Sequence, residues 1–245
     1  LAAEEASSEE NATQEIGFRG QKYTPAPGVT QATEIYKTTA EKDLEINLHF
    51  PAGWKAEDKR PVMVFFFGGG WKKGTTKQFL IQADYFASRG IVTARPNYRL
   101  APDGVTPDKC VEDARSAVRW LRANAARFGI DPKKVISAGG SAGGHLAYCT
   151  SIKRGADDRN DDPTISCIPQ AMVLYNPALF KSDSEMVKAA VAALPVGSKE
   201  IDDHVQGLLG RVGSLQASDP ELAEQPDGRH VLGAVHRRDR RVLRE

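Results

Sequence analysis

The stretch VISAGGSAGGHLA, residues 135–147, places an apolar run, a glycine-rich turn and a second apolar segment in immediate succession. The run Val135–Ala138 is typical of a buried strand, and the residues after the turn favour a helix. Between them, Gly139 to Gly143 form the pattern G-x-S-x-G around Ser141. A serine on a tight strand-to-helix turn projects its hydroxyl above the end of the sheet, where a base can reach it. We therefore predict that Ser141 is a catalytic nucleophile.

The glycines on either side of Ser141 support this interpretation. The turn forces a strained backbone at the serine, so side chains two residues before and after it would collide, and Gly139 and Gly143 remove them. A helix that begins directly behind Ser141 also points its free N–H groups and its positive end at the hydroxyl. The alternative is a tight structural turn without chemistry, because glycine and serine are common in ordinary loops.

The rest of the chain alternates between predicted strands and predicted helices. The predicted strands are Thr33–Thr39, Leu44–Phe50, Val62–Phe67, Ile91–Tyr98 and Ala171–Tyr175, and the predicted helices are Gln78–Arg89, Lys109–Phe128, 184–194 and 199–212. In Leu44–Phe50, apolar and polar residues alternate, as in one strand of a half-buried hairpin. Val62–Phe67 is apolar throughout, as in a central parallel strand. This order predicts an α/β fold with a mostly parallel sheet and helices on both faces.

Composition argues against several classes of protein. With 245 residues, of which 40% are hydrophobic and 27% charged, the chain has the make-up of a globular domain with a large core. The net charge of +1 gives no reason to expect nucleic acid as a partner, and no apolar run approaches the length of a membrane span. Three scattered cysteines are too few for a disulfide framework or a zinc site. We expect that the protein uses no metal and no other cofactor.

Three regions of the chain differ in composition. Residues 1–30 are acidic and then rich in proline and glycine, which is typical of a flexible leader. Residues 31–215 hold the alternating elements of the α/β domain, and residues 216–245 form an arginine-rich tail. The start, Leu1–Ala3, fits the remnant of a secretory cleavage site, so export and a cytoplasmic location both stay open.

The tail departs from the rest of the chain. No lysine occurs after Lys199, while six arginines lie between positions 226 and 245. A reading-frame shift in a G+C-rich gene produces such a change, because the codons for arginine, glycine, alanine and proline are rich in G and C. We therefore expect that residues 216–245 are not native sequence and that the domain is incomplete at its C-terminus.

A second glycine-rich turn follows the predicted central strand. The segment 67–71, FGGGW, offers backbone that a substrate can approach with no Cβ in the way. Acyl transfer through a serine needs donors for the oxyanion, and the N–H directly after the nucleophile is one of them. We predict an oxyanion hole formed by the N–H groups of Gly69, Gly70 and Ala142. A glycine-rich turn without a role is the alternative.

Three motifs together resemble the α/β-hydrolase superfamily, and most of all its branch of bacterial acetyl esterases, lipases and carbohydrate esterases related to hormone-sensitive lipase. The motifs are FGGGW at 67–71, PNYRLAP at 96–102 and GGSAGGHLA at 139–147, and the resemblance covers about 33–180. It implies an α/β-hydrolase fold and a carboxylesterase that cleaves short acyl esters through an acyl-enzyme on Ser141. The implied substrate is a small-molecule ester, such as an acetylated carbohydrate.

Two features depart from the family pattern. Phe67 stands where the family has histidine, and we expect this to alter the anchoring of the loop more than its chemistry. The acid and the base of the triad stay unassigned, because the family places both after later strands and we find no convincing equivalent of either there. His145, on the helix behind Ser141, is expected to be structural and to point away from the hydroxyl. Of the other histidines, His49 is predicted to lie in a strand and His204 at a solvated helix position. His230 and His236 lie in the tail, where Asp239 is a candidate acid on a loose likeness alone.

Other conspicuous residues have two interpretations each. Trp71 lines the substrate pocket or anchors the core, and Lys72–Lys73 contacts an acidic substrate or forms a solvated turn. Charged side chains of the predicted helix 109–128 are expected to form ion pairs in a solvated or scaffold network: Glu112, Asp113, Arg115 and Arg119.

Two classes of function stay open. The first is the serine hydrolase, with a peptidase of the prolyl-oligopeptidase type as the runner-up among enzymes. That type carries a large N-terminal domain, for which residues 1–60 leave no room. The second class is a hydrolase-fold protein that is inactive or truncated. The nucleophile turn and the oxyanion loop favour the first class, and the unassigned acid and base favour the second.

Overall fold

The computed structural model describes residues 15–16, 20, 22–152 and 156–179. Within them, β1 (Glu15–Ile16) and β2 (Lys22–Tyr23) pair as a small antiparallel ribbon, and the other strands build one larger sheet. The helices predicted at 184–194 and 199–212 and the tail at 216–245 lie outside the described residues.

The larger sheet has six strands in the order β3-β4-β6-β5-β7-β8. They are β3 (Thr30–Thr38), β4 (Asp43–Phe50), β5 (Arg60–Phe66), β6 (Val92–Pro96), β7 (Ile130–Gly140) and β8 (Ala171–Tyr175). The β3–β4 and β4–β6 pairings are antiparallel, whereas β5 is parallel to both β6 and β7, and β8 is parallel to β7. The opening hairpin and the mostly parallel sheet are therefore confirmed.

Three described helices flank this sheet: α1 (Leu80–Ser88), α2 (Pro107–Ala123) and α3 (Ala142–Thr150). A 3-10 turn, Thr76–Phe79, precedes α1, so this helix begins at Leu80 and not at Gln78 as predicted. No helix in the described part of the chain has the length and apolar composition needed to cross a membrane.

The second helix ends earlier than its apolar pattern predicts. It stops at Ala123, and the side-chain amide of Asn124 donates to the carbonyl of Trp120 at 2.9 Å, which helps to close the helix. Phe128 lies beyond this end but still packs with Trp120 and with Phe50, at ring-centroid distances of 5.4 and 6.1 Å. A residue can thus continue the apolar pattern of a helix without being part of it, because burial rather than helix geometry sets the pattern.

Side chains of the central strand β5 alternate between two apolar clusters. Met63 and Phe65 pack in the cluster that includes Ala83 of α1. Val64, on the other face, belongs to the larger cluster that includes Leu146 of α3. The unbroken apolar run of this strand therefore reflects burial on both faces, and helices on both faces of the sheet are confirmed.

The charged residues of α2 form a buried scaffold network that reaches beyond the helix. Asp113 is fully buried, and its carboxylate accepts hydrogen bonds from Arg99 side-chain nitrogens at 2.9 and 2.8 Å. The Nζ of Lys37 lies 2.9 Å from Asp113 Oδ1 and 2.8 Å from Asp158 Oδ2. The helix carries three further buried charges: Glu112, Arg115 and Arg119. Of the two predicted alternatives, the structure shows the scaffold network, because the partners come from β3, from Arg99 of the PNYRLAP segment and from the loop after α3.

Replacing Asp113 with alanine should be strongly destabilising. The change leaves the charges of Arg99 and Lys37 buried with fewer partners, and breaking a buried pair in this way costs about 3–5 kcal/mol. Urea unfolding of the purified variants measures the loss. The matched control is Lys134→Ala, which removes an exposed ion pair with Asp131 and should leave stability nearly unchanged. Equal stability of the two variants would contradict the network's role.

Candidate active site

Ser141 lies on a sharp turn between β7 and α3, with a strained backbone at φ 53° and ψ −119°. Three backbone hydrogen bonds hold this conformation. The Ser141 N–H donates to the carbonyl of Tyr175 at 3.0 Å, and its own carbonyl accepts from the N–H groups of His145 at 3.1 Å and Ala178 at 3.0 Å. The side chain is exposed. A non-glycine residue in the left-handed region, fixed by its neighbours and open to solvent, is the geometry of a nucleophile turn.

The flanking glycines are required by packing, as the sequence predicts. A Cβ on Gly139 would lie 2.5 Å from the carbonyl carbon of Gly143. A Cβ on Gly143 would overlap the carbonyl oxygen of Phe66 and lie 2.6 Å from its carbonyl carbon. The second clash is with β5, a neighbouring strand, so Gly143 allows the turn to sit directly against the central strand of the sheet.

The oxyanion loop, residues 67–71, leaves β5 beside the nucleophile turn that leaves β7. These two strands are parallel neighbours, so their carboxyl ends meet at one edge of the sheet. A Cβ on Gly68 would lie 3.2 Å from the Cβ of Ser141, which brings the loop into direct contact with the serine. Sequence reasoning did not single out Gly68, although it belongs to the same run of three glycines.

The two glycines predicted as oxyanion donors have conformations that favour glycine, with φ of 135° at Gly69 and 64° at Gly70. A Cβ on Gly69 would lie 2.7 Å from the carbonyl carbon of Lys73, whereas one on Gly70 would meet nothing within 4 Å. Their N–H groups donate to no acceptor among the residues that the structure describes. The N–H of Ala142 is at the first position of α3, where a helix has no internal acceptor for it. All three groups are therefore available as donors, and their role stays a prediction.

The PNYRLAP segment holds the oxyanion loop at both of its ends. The ring of Tyr98 stacks on Phe67 at 4.2 Å, and the Tyr98 hydroxyl donates to the Phe67 carbonyl at 2.6 Å. Burial raises the pKa of Tyr98 well above its ordinary value, so this donor keeps its proton. At the other end, the N–H of Ala101 donates to the carbonyl of Trp71 at 2.8 Å.

Two histidines lie in the described part of the chain, and both are fully buried. His145 packs edge-on against Trp71 at 5.3 Å, and its Nε2 is 3.4 Å from the sulfur of Cys149, which agrees with a structural role. Trp71 is itself buried, so it anchors the core. His49 lies in β4, with its Nε2 2.9 Å from Arg95 Nη2. The remaining candidates for acid and base lie outside the described residues: His204, His230, His236 and Asp239.

No metal centre is formed by the residues that the structure describes, since no three or more His, Cys, Asp or Glu side chains converge there. The exposed Ser141, near three N–H groups that have no acceptor among the described residues, suits attack on a carbonyl and stabilisation of the resulting oxyanion.

Known proteins share this architecture. The chain is similar to the carboxylesterase NlhH of Mycobacterium tuberculosis, with 35% identity over 43% of this chain and 32% of that protein. Among solved structures, apo esterase 2 of Thermogutta terrifontis is similar at 40% identity and a TM-score of 0.63, over 71% of this chain and 65% of that one. The same esterase phosphonylated by sarin is similar at 38% identity and a TM-score of 0.63.

These relatives are longer than the matched region. The chain spans about a third of the carboxylesterase and less than two thirds of apo esterase 2. The likeness to the solved esterases, at 40% identity, confirms the predicted α/β-hydrolase fold. A family model, BD-FAE, matches residues 46–192, which is more than half of the chain and includes both glycine-rich turns. The chain therefore belongs to the BD-FAE family, whose fold is that of the α/β-hydrolases.

Proposed function

We propose that this protein is a serine carboxylesterase that cleaves short acyl esters through an acyl-enzyme on Ser141. The observation that carries the proposal is the strained, exposed serine held against a glycine loop whose N–H groups at Gly69 and Gly70 have no acceptor among the described residues. The names of the relatives agree with it, since they are a carboxylesterase and an esterase.

The reaction begins with attack of the Ser141 Oγ on the ester carbonyl. A base from outside the described residues takes the hydroxyl proton, and the carbonyl π bond becomes an oxyanion. The N–H groups of Gly69, Gly70 and Ala142 stabilise that oxyanion, and its collapse expels the alcohol, which takes up the proton. Water then attacks the acyl-enzyme in the same way and releases the carboxylic acid and the free serine.

The substrate class of the proposal is a small ester with a short acyl group, and an acetylated carbohydrate is one candidate. Narrow acyl specificity is a matter of pocket fit, since each methylene in an apolar pocket changes selectivity by about 10- to 200-fold. Neither nucleic acid nor a cofactor takes part in the proposed reaction.

An inactive hydrolase-fold protein is the second candidate function. It is favoured by the burial of both described histidines, neither of which is placed as the base for Ser141. A peptidase of the prolyl-oligopeptidase type is a third candidate, because the turn at Ser141 fits it as well. It would cleave a peptide bond, whereas the esterase cleaves an ester bond.

Assays with three substrates separate these functions. We expect hydrolysis of 4-nitrophenyl acetate with a kcat/KM that exceeds that of 4-nitrophenyl palmitate by on the order of tenfold or more. A prolyl peptide 4-nitroanilide should not be cleaved. Cleavage of the anilide would support the peptidase, and absence of all three activities in the folded protein would support the inactive form.

A further inference from the structure

We infer that Gln78 is a positioning residue for the oxyanion loop, because its side-chain carbonyl oxygen holds the peptide N–H of Gly68, the residue at which a Cβ would meet Ser141. The inference rests on the proposed function. It concerns a residue of the 3-10 turn Thr76–Phe79, which lies outside the three sequence motifs of the site.

The peptide group between Phe67 and Gly68 is bound on both sides. Its C=O accepts a hydrogen bond from the hydroxyl of Tyr98 at 2.6 Å, and its N–H donates to the Oε1 of Gln78. In a planar trans peptide, these two groups point in opposite directions. Rotation of the peptide plane would therefore break both hydrogen bonds. Together, these two hydrogen bonds fix the orientation of the plane.

This peptide group ends at Gly68, where the loop passes so close to the nucleophile that a side chain would not fit. A Cβ on Gly68 would lie 2.6 Å from the carbonyl oxygen of Gly140 and 3.2 Å from the Cβ of Ser141. The next anchored group is the carbonyl of Gly69, which accepts from the N–H groups of Lys72 and Lys73, both at 3.2 Å. The free N–H groups of the loop follow directly after the bound peptide.

Glycines do not fix the loop by themselves. Three consecutive residues without a Cβ have access to many backbone conformations, so the orientation of their N–H groups has to be imposed from outside. Tyr98 and Gln78 are the side chains that bind the first peptide of this run. These two side chains therefore set the direction in which the N–H groups of Gly69 and Gly70 point.

The turn that carries Gln78 is itself anchored. Arg95 of β6 donates to the carbonyl of Thr76 at 2.9 Å. Phe79 is buried and stacks on Phe65 of the central strand at 5.3 Å. Gln78 therefore acts from a turn that is fixed to two strands, which is what precise placement of a catalytic group requires.

The test is the variant Gln78→Met, which keeps the length of the side chain and removes the acceptor. The N–H of Gly68 then lacks its partner, and the loop can rotate away from the oxyanion. We expect kcat to fall on the order of tenfold with KM nearly unchanged. This loss is smaller than the 100- to 1000-fold loss on removing an oxyanion donor, because the donors are displaced and not deleted.

A transition-state analogue separates positioning from mere stability. A trifluoromethyl ketone adds the Ser141 oxygen to its carbonyl carbon, and the resulting oxyanion occupies the same hole. Its Ki should rise by the factor by which kcat/KM falls. The matched control is Gln82→Met on α1, whose buried amide oxygen has no hydrogen-bond partner among the described residues, and it should leave both constants unchanged.

The outcomes distinguish this inference from the proposed function. An active wild-type protein with a Gln78→Met variant of equal kcat and Ki overturns the positioning role alone. The same holds if the variant has a lower melting temperature but unchanged kinetic constants. A folded wild-type protein without esterase activity overturns the proposed function, and the inference falls with it.

Discussion

Replacing Ser141 with alanine is expected to lower ester turnover about a million-fold, to a rate close to the background. The loss is so large because the remaining members of a serine-based site contribute little without the nucleophile. Steady-state hydrolysis of 4-nitrophenyl acetate at high enzyme concentration measures it. The fold should persist, since the three hydrogen bonds at this residue use its backbone and not its hydroxyl.

The matched control for this variant is Ser151→Ala at the end of α3. The hydroxyl of Ser151 donates to the carbonyl of Tyr148 at 2.7 Å, so its loss costs one local hydrogen bond in the same region. We expect Ser151→Ala to keep its activity. Turnover by Ser141→Ala within tenfold of the wild type would show that another residue is the nucleophile.

Replacing Gly143 with alanine is the second change for which we expect a large effect. The new methyl group would overlap the carbonyl oxygen of Phe66 and lie 2.6 Å from its carbonyl carbon, so α3 and the turn have to move away from β5. Overpacking of this kind destabilises by about 1–3 kcal/mol. A displacement of the serine by about 1 Å can cost 100-fold in rate, so turnover should fall by at least that order.

A comparison with Gly104→Ala isolates the steric part of this effect. Gly104 has φ of 78°, and a Cβ there would meet nothing within 4 Å, so this variant carries backbone strain alone. It should lose on the order of 1 kcal/mol of stability and keep its kcat. Steady-state kinetics and thermal unfolding of both variants provide the measurement. Full activity of Gly143→Ala would mean that the turn tolerates displacement from the central strand.

The nucleophile turn could be predicted from the sequence because its determinants are local. The apolar strand before Ser141, the glycines two residues away and the helix behind it lie within one short stretch. The central strand could be predicted equally well, because burial on both faces leaves an unbroken apolar run in Val62–Phe67. Such patterns can be recognised without knowing which distant residues pack against them.

The side chains that hold the site in place come from distant parts of the sequence, and the sequence does not reveal which residues they bind. Gln78 binds Gly68 across ten positions, and Tyr98 binds Phe67 across 31. The partners of Asp113 are Lys37 of β3 and Arg99 of the segment before α2, so the sequence alone leaves a solvated and a scaffold network equally open. Polar side chains carry no periodic signal that names their partners, and only the assembled fold pairs them.

Covalent labelling tests the central claim, that Ser141 is the nucleophile, most directly. The purified protein is treated with a fluorophosphonate probe, and the modified residue is located by peptide mass spectrometry. Attack of the Ser141 oxygen forms the O–P bond and expels fluoride, so one probe should be found on the peptide that contains Ser141. The Ser141→Ala variant should stay unlabelled. Labelling at another residue, or undiminished labelling of Ser141→Ala, would contradict the assignment.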